Sequence, residues 1–148
     1  MDDTVSSGMG MHIIDHYLIV PVSAEINDQT AMRLRQEILA KTESTSPKGM
    51  LLDVSAIRVL DSFTFSILTE TAKMVSLLGA KTVFVGFQAG VASALIDLDV
   101  DLGNLETAVT LEDAFELLRS QAPTPRLRDD LEVSMSRGNS GTADNDRD

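Results

Sequence analysis

Short apolar runs alternate with capped segments of helical period along most of this 148-residue chain, and that alternation narrows the fold to very few architectures. HII and YLIVPV, within Met11 to Val22, read as two strands flanking a tight turn at Asp15 and His16. Pro21 places the second strand close to its end or at an edge, because proline lacks the N–H a ladder needs. Asn27 or Asp28 then caps a helix running to about Lys41, with Ala31, Leu34, Ile38 and Leu39 as its inner face. ESTSPK, Glu43 to Lys48, is a polar loop. A strand over Met50 to Val54 follows, then a helix through Leu78 ended by Gly79, then the β-branched strand TVFV, Thr82 to Val85. Val91, Ala94, Leu95 and Leu98 sit at helical spacing. Leu105 to Val109 reads as a short last strand, and Thr110 with Asp113 opens a final helix through Leu118.

A hairpin followed by alternating helix and strand implies crossover connections of one hand, with at least part of the sheet parallel. The expected fold is therefore α/β, a mixed central sheet of four or five strands flanked by about four helices. Pro123 and Pro125 mark a break, beyond which the chain is rich in Ser, Asp and Gly and poor in large apolar residues. The expected organisation is a flexible N-terminus at 1–10, one domain at 11–120 and a disordered acidic tail at 121–148 that folding does not need.

Composition excludes several functions. With Asp and Glu at 23 against Lys and Arg at 12, the formal net charge is −11, a poor match to nucleic acid, which requires basic surface. There is no cysteine, so disulfides and thiol chemistry are out, in keeping with a reducing cytoplasm. No apolar run approaches the roughly 18 residues of a membrane span, and the acidic start lacks the apolar core of a secretory signal.

The most informative stretch for function is DVSAIRVLDSF, Asp53 to Phe63, where a strand leads to an acidic residue and a serine that open a helix. Asp and Ser cap helix starts because their oxygens accept unpaired backbone N–H groups. A phosphate on such a serine gains the positive end of the helix dipole and places a charge of about −1.5 to −2 at an accessible point. Ser62, Ser66, Thr69, Lys73 and Ser76 fall on one helical face, and Ile67, Leu68, Ala72, Val75 and Leu78 on the other. Phe63, Phe65, Met74 and Leu77 lie along the margins of the polar stripe, an arrangement that suits a protein contact surface. From the residues alone, a plain capped helix with a solvated face fits equally, since serine is common at helix starts.

Catalytic signatures are sparse. GAKT, Gly79 to Thr82, resembles the end of a phosphate-binding loop but lacks the upstream glycine, and Lys81 begins a strand. Gly86 and Gly90 in GFQAG enter a helix and form a weak anion-binding candidate that helix entry alone explains. His12 and His16, four apart on strands, would stand about 13 Å from one another, too far for one metal. A carboxylate site of Asp53 with Asp61 is the one enzymatic alternative. No metal, cofactor or enzymatic activity is expected.

The block from Met11 to about Leu118 resembles the STAS domain of bacterial anti-sigma-factor antagonists, and most of all the small scaffold antagonists of the stressosome. The resemblance rests on LLDVSAIRVLDSF, on LLGAKTVFVGFQAGVASALIDLDVDL and on the element order. It implies that Ser62 is the serine a serine/threonine switch kinase phosphorylates and that Asp61 is the acidic residue before it. Ala94, beside Ser93, stands where sensor-type relatives carry a second phosphorylatable threonine, which favours the single-site scaffold type. Ala89 and Asp99 depart from the family's usual proline and glycine. By this resemblance the chain captures a kinase or anti-sigma partner through Asp61, Phe63, Ser66, Thr69 and Lys73 and releases it on phosphorylation. Sensor-type STAS paralogues and further copies of the chain are the other expected partners, in the cytoplasm, with no nucleic acid or membrane. A ligand- or nucleotide-binding STAS module is the alternative.

Overall fold

The computed structural model describes residues 10–100, 102 and 104–121; all but the last residue of the expected N-terminal segment and all but the first of the expected tail lie outside them. The strands are β1 (His12–Ile14), β2 (Tyr17–Pro21), β3 (Gly49–Asp53), β4 (Lys81–Val85) and β5 (Thr107–Ala108), and the helices are α1 (Asp28–Thr45), α2 (Ser62–Leu77), α3 (Ala89–Asp97) and α4 (Leu111–Ser120). The five strands form one sheet in chain order. β1 and β2 are antiparallel, and every later pair is parallel. The mixed α/β architecture matches the one read from the alternation.

The β1–β2 hairpin turns on Asp15 and His16, both at positive φ (54° and 71°), with Ile14 opposite Tyr17. Two left-handed central residues match the strand twist, and Asp tolerates that conformation. Pro21 ends β2 beyond the reach of β1, so its missing N–H costs the ladder nothing.

Successive strand residues point to opposite faces, and the two cores separate accordingly. Leu18, Val20, Met50, Leu52 and Phe84 form one with Leu34 and Ile38 of α1, Phe65 and Leu68 of α2, and Val91 and Leu95 of α3. Tyr17, Ile19, Leu51, Val83 and Val85 face the other way, under Ala114 and Leu118 of α4. A sheet ordered as its sequence, joined by crossovers of one hand, puts all the crossover helices on one side. The opposite face falls to the last helix, and a parallel sheet with both faces covered explains why its strands read as continuous apolar runs.

Helix ends follow local chemistry. Asn27 and Thr30 cap α1 reciprocally, and Thr110 Oγ1 accepts the Asp113 N–H at the start of α4. α1 runs beyond the expected end near Lys41 and takes in the first half of the expected polar loop. The Ser44 and Thr45 hydroxyls donate back to the Lys41 carbonyl, which lets polar residues finish the helix before Ser46 turns left-handed at φ 48°. Gln121, placed by composition at the head of the tail, is tied to the domain: its amide donates to Glu106 and accepts from Lys81 Nζ.

Candidate functional site

The loop from Val54 to Leu60 delivers α2 at the ends of the parallel strands. Asp53 opens it by accepting the Ser55 N–H at 3.0 Å, and Ile57 and Leu60 are buried beneath it. Asp61 is the N-cap of α2, its carboxylate accepting the Thr64 N–H at 2.7 Å. That bond holds the Asp61 carboxyl below the ordinary carboxylate range, so it is ionised at neutral pH. The two carboxylates weighed as an enzymatic pair each serve their own turn, one closing the loop entrance and one the helix.

Ser62 follows as the first helical residue. It is exposed, and its hydroxyl makes no hydrogen bond among the described residues. Phe63, the next residue, is 60% exposed, and Val59, three residues before Ser62 in the loop, is 81% exposed. Val59 was not among the residues singled out from sequence; it stands between exposed Arg58 and buried Leu60 in a loop rich in apolar residues, where composition does not mark which of them is exposed. Lys73 is exposed further down α2, while Ser66 and Thr69 are half-buried, with hydroxyls donating to the Phe63 and Ser66 carbonyls.

Two residues sit elsewhere than the helical wheel placed them. Phe65, expected at the margin of the contact surface, is 1% exposed and belongs to the core. Its ring meets Phe87 at 6.2 Å and Phe84 at 6.3 Å, while Phe84 and Phe87 stack at 5.7 Å. This aromatic trio fixes the first turn of α2 from below. Leu78, expected on the packed face, lies just past the helix end and is exposed, because the chain is already leaving for Gly79.

The glycine-bearing segment after β4 backs the same loop. Gly86 has φ +83°, and a Cβ there would stand 2.8 Å from Ser55 Cβ. Its N–H donates to the Ala108 carbonyl at 2.9 Å, and the Gln88 side chain donates to the Ser55 carbonyl at 2.7 Å. Gly90 is exposed with open space around it. Lys81 begins β4, as the strand reading of GAKT requires. Among the described residues no group of three or more His, Asp and Glu is placed to hold a metal, and no helix is long and apolar enough to cross a membrane.

A sheet of this order, with a serine exposed at the start of its second crossover helix, agrees with comparisons to known proteins. The STAS domain matches residues 9–114. The chain belongs to the STAS domain family. Over 104 residues this STAS domain is 21% identical to the RsbT co-antagonist protein RsbRA of Bacillus subtilis, spanning 70% of this chain and 38% of RsbRA. It spans a similar 37% of RsbRD from the same organism, at 24% identity, so the chain covers less than two fifths of these relatives. Among solved structures it is similar to a serine-to-glutamate form of Moorella thermoacetica RsbS, at 28% identity and a TM-score of 0.66, covering 74% of this chain and 96% of that one. It is likewise similar to a chain from a study of the molecular architecture of the stressosome, at 29% identity and a TM-score of 0.65, with 74% and 96% covered. The STAS domain described here is thus related to the stressosome antagonists.

Proposed function

We propose that this protein is a regulatory scaffold rather than an enzyme: a stressosome-type antagonist in the cytoplasm that holds a serine/threonine switch kinase or anti-sigma partner while Ser62 is bare and releases it when Ser62 is phosphorylated. One observation carries the reading. Ser62 stands exposed at a helix start, its hydroxyl without a hydrogen bond among the described residues, and exposed apolar Val59 and Phe63 lie within three residues of it in the chain. Such a surface binds a partner by covering those side chains, and a phosphate beside them must be stripped of water before the same contact forms. Ionised Asp61 adds like charge at that spot. Lys73 is eleven residues on, roughly 16 Å along the helix, too far to compensate. Similarity to the serine-to-glutamate RsbS supports the reading, since glutamate brings negative charge to a serine's place. Similarity to the stressosome chain and to RsbRA supports assembly with sensor-type STAS paralogues and with further copies of itself.

Titration of the kinase with wild-type protein, Ser62→Ala and Ser62→Asp tests the mechanism. Ser62→Ala is expected to keep wild-type affinity or improve on it. Ser62→Asp is expected to lose a part of it, since an aspartate carries only part of a phosphate's charge. Three equal affinities would refute charge-driven release.

The second reading, anion binding at Gly86 and Gly90, is favoured by the start of α3 at Ala89, which Gly86 precedes and whose first turn holds Gly90. The first of the two amides is already given to Ala108, which leaves fewer donors for a ligand there.

A further inference from the structure

Both ends of the sheet are bare. Among the described residues β1 pairs only with β2, and β5 only with β4. Neither strand holds a lysine or proline, the residues that commonly blunt an edge. Each edge also turns one residue's backbone outward. The Glu106 and Ala108 carbonyls accept from the Phe84 and Gly86 N–H groups, so by alternation the N–H and C=O of Thr107 face away from the sheet. At the other end, Ile14 and Tyr17 flank the hairpin turn as the hydrogen-bonded pair that closes it, so the N–H and C=O of Ile13 face away.

The side chains match across the two edges. Ile13 lies opposite Leu18 and Thr107 opposite Phe84, and both partners belong to the core under α1, α2 and α3, so Ile13 and Thr107 stand on one face of the sheet. Ile13 is an apolar side chain left 39% exposed. Beside Thr107 a groove of about 370 Å³ opens between α3 and β5, lined by Phe87, Leu95, Ile96 and Leu105, with Ile96 64% exposed. One edge carries the apolar side chain and the other the slot. Charge separates the ends further. Arg35 reaches Glu70 of α2 at 3.7 Å, so Arg33, Glu37 and Lys41, on the opposite flank of α1, lie toward the hairpin, where Asp15 and Lys48 also stand. The β5 end holds Asp97, Asp99 and Glu106 with Lys81, and on α4 Glu112, Asp113 and Glu116 with Arg119. Outside the described residues, Asp2 and Asp3 precede the hairpin, and Arg126 and Arg128 are followed at once by Asp129 and Asp130. The β5 end remains the more acidic, so charge favours β5 against β1 over β5 against β5. Two β1 edges together would leave both slots empty.

We propose that β1 of a second copy adds to β5, with Ile13 of that copy opposite Thr107 and its side chain seated in the groove. A copy carried across without turning over sets its β1 antiparallel to β5, and the outward groups of Ile13 and Thr107 then form one hydrogen-bonded pair. The contact is heterologous: it joins unlike edges and leaves one of each free at the ends of the assembly. Its short strands make it weak, in keeping with a small oligomer. It gives a surface to the assembly with further copies proposed above, on which reading it rests, and it involves neither Ser62 nor a kinase.

The chain has no cysteine, so introduced thiols report this contact alone. Full-length Ile13→Cys and Thr107→Cys, both at exposed positions, are mixed and treated with a short bis-maleimide. The mixture is expected to give a covalent dimer, and either chain by itself little of it. Adding Ile96→Asp to the Thr107→Cys chain, at an exposed position that spares folding, should remove most of the dimer. No dimer from the mixture would overturn the proposal. As much dimer from Ile13→Cys or Thr107→Cys alone would overturn it in favour of a two-fold contact between like edges. Dimer formed only after truncation behind Gln121 would overturn it too, making the chain's own tail the occupant of the edge. The assay contains no kinase and no paralogue. Its failure leaves the Ser62 titration untouched, and equal affinities in that titration leave the cross-link standing.

Discussion

Asp61 closes the first turn of α2, and the stability of that turn rests on its side chain. Losing an N-cap carboxylate costs about 1 kcal/mol, so Asp61→Ala should lower the melting temperature by about 4 °C. The cap also has a pH signature. The folded-state carboxyl titrates below its unfolded value, so its contribution is fully present above the ordinary carboxylate range and is lost as pH falls through the folded pKa. Asp61→Asn keeps an acceptor without the charge, so thermal melts of wild type and Asp61→Asn should converge as pH falls through the folded-state pKa, with wild type ahead at pH 7. This cap was legible in the sequence because it depends only on residues three apart. Val59 was not, because its exposure follows from how a loop lies over Ile57 and Leu60, and no period governs a loop.

At the scale of elements, the order of strands and helices was readable because each carries its own period and punctuation. Phe65 was misplaced because a helical wheel assigns a boundary residue by angle alone. The aromatic pair Phe84 and Phe87, contributed by β4 and the turn after it, is what draws that ring inward. α1 outlasted its expected end because Ser44 and Thr45 satisfy a helix carbonyl locally, a role invisible to a rule that treats such residues as loop. The two glycines of GFQAG, equivalent as a motif, differ in place. Gly86→Ala should cost about 1–3 kcal/mol from its left-handed backbone and the approach of Ser55, read as a lower denaturant midpoint. Gly90→Ala sits in open space within a helix and should be neutral or stabilising by up to about 1 kcal/mol.

For the whole molecule, the net charge of −11 opposes crowding of identical chains and favours partners with basic surface. Light scattering after size exclusion should therefore find a small oligomer alone and a much larger particle after mixing with sensor-type STAS paralogues; unchanged masses would remove the scaffold role. The two sheet faces are closed by residues before Gln121, so removing 122–148 should leave a cooperative melt at nearly the full-chain temperature. The central claim is that one serine switches this surface. Incubation with the switch kinase and ATP, followed by phosphosite mapping by mass spectrometry, tests it most directly. A single phosphate on Ser62, absent in Ser62→Ala, is the predicted result. Phosphate on Ser66, Ser93 or Thr64 with Ser62 left bare would contradict it.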